Sequence, residues 1–430
     1  MSLYDKASLV QIPSGTKDGI LYSVLPANGD GDFTHARSTS ATRVNKDGLI
    51  ESVASGVPRL DYPLIDGVVQ SCPALLLEPS RTNLSLYSQQ FNLWSGGLIT
   101  ADQAISPDGN LTADELTKPS AFAAQSRTET GTSGVNYVFS LFVKPKTTNR
   151  ISLRQASGSN DVRRYFDLSD QSSGQSGGNN TGFVSEGIEK YSNGWYRIHT
   201  VCTSNGTAIA TNIYSGMAGN TTYDGEFYIW GSQFELGDYP TSYIPTTTSS
   251  VTRNFDDCVG AGTSAEFNDS EGVLFAEIQG LSDPPTNNSY VSLTDGTVAN
   301  SIMIQHRNQS GVGELRIYNG GTGGANMVSR DATADLTENI KIAIQYGNTK
   351  ANYKVYINGV SQSIASAFVA TSMSGLDELK FEYAVGGSNF FGKTKQLMTF
   401  NEALTDKELE QVTSWTSFGE MAKGQLYTIE

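Results

Sequence analysis

The sequence predicts a mostly β protein of tandem β-sandwich domains with a small β-rich module at its N-terminus. Three observations carry this reading. Apolar and aromatic runs of strand length, such as residues 137–143 and 226–230, recur along the chain between turn residues. The pairs Asp47-Gly48, Asn193-Gly194, Asp295-Gly296 and Asn358-Gly359 stand between such runs, and glycine turns a chain back at little cost. The 430 residues include 20 Tyr, 18 Phe and 4 Trp, with only 17% charged, so there is much to bury and too little charge to hold the chain open.

In chain order, residues 1–85 combine short strands with a Gly/Asp turn at 28–32 and end in a Leu-rich run at 75–77. Residues 86–250 hold a series of strands, interrupted by a Ser/Gly/Asn-rich stretch at 171–181 that reads as a loop, and end in a Thr/Ser run at 245–250 that reads as a linker. Residues 251–430 open a new strand series at 272–278 and continue through 341–346 and a hairpin at Asn358-Gly359. A strand at 395–400 precedes one short surface helix over 404–412. Leu409 and Val412 share a face of that helix, Thr405 is its N-cap and Glu408 completes a capping box. A short tail follows Trp415, and no strict internal repeat appears.

Charge excludes some partners. With 29 basic and 44 acidic side chains the net charge is −15, and no basic stretch exceeds short clusters such as Arg163-Arg164, so no nucleic acid partner is expected. No window approaches the roughly 18–20 apolar residues of a spanning helix, and the first residues lack the apolar core of a signal peptide; the expectation is a soluble chain, not conventionally secreted, without membrane insertion.

Motifs for chemistry are sparse. Cys72, Cys202 and Cys258 are far apart, which argues for reduced, buried thiols rather than a disulfide framework or a zinc site. His35, His199 and His306 stand alone. Residues 387–394 fit the phosphate-cradling pattern, but residues 395–400 read as a strand where that motif needs a helix. Residues 174–178 fit a nucleophile elbow, without a preceding strand. No catalytic residue and no cofactor are therefore assigned. Asp30 and Asp32 offer carboxylate oxygens to calcium but lack the rest of an EF-hand loop, so a solvated turn is expected there. Arg37, Arg43, Arg59 and Arg81 have Glu51, Asp61 and Glu78 as potential partners; structural pairing is the first reading, and a patch that docks the chain on a larger assembly is the second. Trp94, Trp195, Trp230 and Trp415 are read as core, not as sugar platforms.

Several phrases resemble bacteriophage fibre and head-spike proteins: residues 8–13, 36–51 and 76–83 resemble the opening of such chains, and residues 193–197, 229–235 and 240–245 resemble the head-spike-fibre domain, itself similar to carbohydrate-binding jelly rolls. Residues 341–346, 356–360, 391–393 and 401–406 resemble a laminin-G or concanavalin-like sandwich. The resemblance implies a virion-attachment module at 1–85, a jelly roll at 86–250 and a laminin-G-like sandwich at 251–430. It implies a virion surface protein, made in the bacterial host cytoplasm, that adheres to host-surface glycans alongside other virion proteins, as a homo-oligomer guessed to be a trimer. The sugar-contacting residues are left unassigned, as are the host, the glycan and head versus tail location. One alternative is a purely structural capsid decoration or fibre component. Another is a polysaccharide depolymerase, but the Glu-x-Asp-x-x-Glu strand of concanavalin-like hydrolases is missing, Glu277 and Asp283 do not reproduce it, and the chain is read as no enzyme.

Overall fold

A computed structural model describes residues 3–117, 124–216, 225–283, 285, 287–320, 326–331 and 335–415. The fold is mostly β, with two antiparallel sandwiches and smaller sheets beside them.

The middle sandwich packs a six-stranded sheet, ordered Ile99–Ile105, Leu111–Leu116, Phe227–Leu236, Asn136–Pro145, Tyr196–Thr203, Phe183–Lys190, on a five-stranded sheet running from Gln125–Thr130 to Ser172–Gly178. Phe139, Leu141, Val143, Ile198 and Phe234 of the first sheet meet Ile151, Leu153, Phe166 and Ile213 of the second. The near-continuous apolar run at 138–143, broken only by Ser140, has a physical reason: every residue in it is fully buried, because the other face of the strand is covered too, with Phe142 packed against Trp195, Trp230, Tyr243 and Ile50. Trp195 and Trp230 are core residues. Beside them the register slips, Ser140 facing Gln233 and Phe142 facing Trp230, so the strand Phe227–Leu236 carries one extra residue. Gly231 sits in that bulge at φ 62°, where a Cβ would come within 2.9 Å of the Phe142 ring.

The stretch at 171–181, expected as a loop, contains the edge strand Ser172–Gly178, paired with Asn160–Asp167. Its small residues hide it from a β-propensity reading, but Tyr165 lies where a Gly174 side chain would go and supplies the missing packing. The pattern at 387–394 leads into the strand Gly392–Phe400, not a helix.

In the other sandwich, a five-stranded sheet from Asn326–Asp331 to Glu378–Lys380 faces an eight-stranded sheet. That larger sheet contains Glu271–Gly280, Ile340–Gly347, Lys354–Ile357 and Gly392–Phe400, and it also takes in Leu9–Gln11, Arg59–Asp61 and Ala74–Leu77. Residues 1–85 keep two small hairpins of their own, Ala41–Val44 with Ile50–Val53 and Leu64–Ile65 with Val68–Val69, but otherwise share sheets with residues 251–415, because Leu9, Leu75 and Leu77 need the apolar face of Leu274, Ile278 and Leu397 to be buried. Phe33–Ala36 likewise pairs with Asp257–Val259. Asp406–Thr413 is a helix with the expected Thr405–Glu408 capping box; Leu409 is fully buried over Val273, Phe275 and Phe400.

The Thr/Ser run is not a free tether at its start. Thr246 is buried, its hydroxyl donates to the Ser85 carbonyl, and Val251–Arg253 pairs with Arg81–Asn83. Cys202 and Cys258 are buried as expected, but Cys72 is exposed, in a bend before Ala74–Leu77. Among the described residues, no helix is long and apolar enough to cross a membrane.

Candidate functional site: a cleft between the sandwiches

The two sandwiches meet at a buried knot of charge. Arg59 is fully buried; its guanidinium donates to the carboxylates of Glu78 and Asp256. Arg253, 1% exposed, reaches Glu78 at 2.7 Å and the Pro79 carbonyl at 2.6 Å, and Arg37 reaches Asp256 at 2.9 Å. Burial by itself would raise the Glu78 carboxyl, but Arg253, Arg59 and hydrogen bonds from Ser242 outweigh it and hold it down to about 2. Asp256 is likewise lowered, burial being overcome by Arg59, His35 and Arg37.

This placement corrects the docking reading for two of the four arginines. Arg37 and Arg59 lie inside, paired to Asp256, where no partner surface can reach them. Arg43 is partly exposed and paired with Glu51 at 2.5 Å. Arg81 is half-buried, its Cζ 5.5 Å from the centre of the Tyr239 ring, with Glu235 3.9 Å away. Asp30 and Asp32 do not converge on a cation: Asp30 accepts from Asn28, Asp32 from the amide and hydroxyl of Ser23. Among the described residues, no three His, Cys, Asp or Glu side chains gather as metal ligands.

The knot holds one residue at the surface. Phe255, 47% exposed, lies between Asn254, whose amide and side chain are tied to Thr39 and Ser38, and the buried Asp256. Phe255 lines a cavity of about 590 Å³ together with Arg81, Tyr239, Asn288, Asn389 and His306. His306 is 2% exposed, and among the described residues its Nε2 has no hydrogen-bond partner; burial lowers its pKa to about 4, so the ring is neutral. Burial raises the Tyr239 phenol to about 12, which keeps its hydroxyl a donor.

A second chamber of about 420 Å³ adjoins the first, sharing Tyr239, Gly280 and Leu281. It is lined by Tyr62, Tyr191, Arg197 and Lys393 among others. The arrangement joins exposed or half-buried aromatic rings with amide, hydroxyl and guanidinium donors, and so suits a ligand with both apolar and hydrogen-bonding faces. None of the cleft-lining aromatics was singled out from sequence as a binding residue. Phe255 offers the one usable signal, an apolar residue within the polar run Asn254 to Asp257.

No family model and no curated protein matches the chain. Several solved structures resemble part of it. The Ruminococcus gnavus IT-sialidase CBM40 bound to α2,3 sialyllactose is 17% identical, covering 36% of this chain and 94% of that one, with a TM-score of 0.27. The native heptameric SAP-like pentraxin from Limulus polyphemus is 16% identical, covering 34% and 71%, at 0.28. The NanB sialidase from Streptococcus pneumoniae is 14% identical, covering 34% and 24%, at 0.27. Fold and cleft together define a tandem β-sandwich protein with a partly aromatic groove at the sandwich junction, and no residue role is carried over from these structures.

Proposed function

We propose that this chain is a bacteriophage virion surface protein that adheres to host-surface glycans through the cleft, by binding and without catalysis. The observation that supports binding is Phe255: a large apolar side chain left exposed, held on one side by the hydrogen bonds of Asn254 and on the other by the buried ion pair of Asp256, at a cavity that also offers Arg81, Tyr239 and Asn389. Sugar rings present apolar C–H faces that stack on aromatic rings and hydroxyls that pair with such donors. The virion assignment is supported by the fibre-like phrases at residues 8–83 and 193–245. A single shallow contact of this kind is weak, and display of several copies in an oligomer, a trimer being the expected one, raises avidity by about 10²–10⁴-fold.

Retention of the folded protein on immobilised host polysaccharide tests the binding reading. Phe255→Ala is expected to lower retention about tenfold or more with the melting temperature unchanged, since Phe255 is exposed. Equal retention of variant and parent would reject the cleft as the site. Release of new reducing ends from the polysaccharide would reject binding without catalysis. Gold-labelled antibody on intact virions tests the location, and absence of label from every virion surface would reject it.

A further inference from the structure

The second chamber contains a buried cation without a counter-ion. Arg197 is 3% exposed and lies on the strand Tyr196–Thr203, directly across from Phe142, on the face of the six-stranded sheet turned away from that sandwich's own core. Its guanidinium carbon is 5.3 Å from the centre of the Phe142 ring, and Nη2 donates to the Ser140 hydroxyl at 3.0 Å. The Tyr191 hydroxyl is a second neutral neighbour. Among the described residues its Nε has no hydrogen-bond partner, and no carboxylate stands within ion-pair distance of the guanidinium.

The other charges of the chamber show how unusual this is. Lys393 is matched by Asp61 at 2.9 Å, Arg43 by Glu51, and Glu78 by Arg59 and Arg253. Glu189 and Asp66 also line the chamber; Glu189 stands directly opposite Arg197 on the neighbouring edge strand, but both carboxylates are exposed, where water and salt screen them, and neither reaches the guanidinium as an ion pair. A guanidinium held over an aromatic ring, hydrogen-bonded to a neutral hydroxyl and bridged by no carboxylate, keeps an unused donor in a medium where an oxyanion gains most from it.

Resting on the glycan reading above, we propose that the second chamber takes the carboxylate of an acidic saccharide, with Arg197 as its anchor and the half-buried Tyr191 and Tyr239 beside the ring. The cleft then selects uronate-type or similarly carboxylated sugars over neutral ones. Selectivity lies in the second chamber and general sugar stacking at Phe255 in the first.

The probes are methyl glucuronide, methyl glucoside and inorganic sulfate, each titrated to tens of millimolar into the full chain, with tryptophan fluorescence as readout because Trp195 and Trp230 pack on Phe142. The expected result is saturable binding of the glucuronide about tenfold tighter than of the glucoside or sulfate. It is lost in Arg197→Met and weakened but present in Arg197→Lys, which keeps the charge and so guards against a folding artefact. Equal affinity for glucuronide and glucoside, or unaltered glucuronide binding by a folded Arg197→Met protein, overturns the proposal. Sulfate binding as tight as glucuronide also overturns it, since the arginine would then hold a free anion and no sugar. Any of these results combined with Phe255-dependent retention on polysaccharide leaves the glycan reading standing, whereas loss of both rejects both.

Discussion

Arg59 and Asp256 are 197 residues apart in sequence, yet their side chains meet in a fully buried ion pair at the junction of the two sandwiches. Arg59 belongs to the strand Arg59–Asp61, while Asp256 precedes Asp257–Val259, so the pair ties the first segment of the chain to the third. Replacing such a group by a packed apolar set is often neutral, but removing one partner leaves uncompensated charge inside. Arg59→Met is therefore expected to cost about 3–5 kcal/mol in urea unfolding, and the double change Arg59→Met with Asp256→Asn less than the sum of the single changes. Additive losses would show that the two residues act independently.

Glu78 makes the junction acid-sensitive. Its folded-state pKa, about 2, lies below the ordinary 4.5, so its contribution is complete above the ordinary value and is lost as pH falls through the folded one. Asp256 acts in the same direction. Urea midpoints followed from pH 5 to pH 2 are expected to fall more steeply for the parent than for Glu78→Gln. Parallel slopes would mean that the carboxylate gains nothing from its two arginines.

Glu129 acts in the opposite sense. It is 3% exposed, and burial raises its pKa to about 7 although Arg127 lies 3.1 Å away. A raised carboxyl favours its protonated form, so the folded state loses stability as pH climbs from about 4.5 to about 7, and the penalty is constant above that. Glu129→Gln is expected to stabilise the protein at pH 8 by on the order of 1–3 kcal/mol and to change little at pH 4. A variant equally stable, relative to the parent, at both values would remove the basis for the shift.

The parts of the fold that were legible in sequence are those where burial follows the chain locally. The run 137–143, the hairpin at Asn358-Gly359 and the Thr405–Glu408 cap each announce themselves within a few residues, and each stands where expected. What was hidden depends on which segments come to lie beside each other, near or far along the chain. Ser172–Gly178 has no strand-like side chains of its own and is a strand because Asn160–Asp167 pairs with it. Pairing of Arg59 with Glu78 is legible from their nearness in sequence, but its second partner Asp256, 197 residues on, is not. The cleft belongs to no single segment, since Arg81, Tyr239, Phe255 and His306 come together only when both sandwiches are built.

The sharing of sheets between the first and third segments leads to a further expectation. Removing residues 1–85 strips Leu9–Gln11, Arg59–Asp61 and Ala74–Leu77 from the eight-stranded sheet, takes Leu9, Leu75 and Leu77 out of its core, and leaves Asp256 without Arg59 and Arg37. An exposed apolar sheet edge of that kind invites association with other chains. A chain beginning at residue 251 is thus expected to aggregate or to lack a cooperative thermal transition. Residues 86–250 have their core, from Phe91 to Phe234, within their own length and are expected to keep the near-ultraviolet signal of packed aromatic residues when expressed alone. A monomeric, cooperatively melting 251–430 fragment would show that the N-terminal strands dock on a sandwich already complete, and the buried charge knot would then be a late fastening, not a condition of folding.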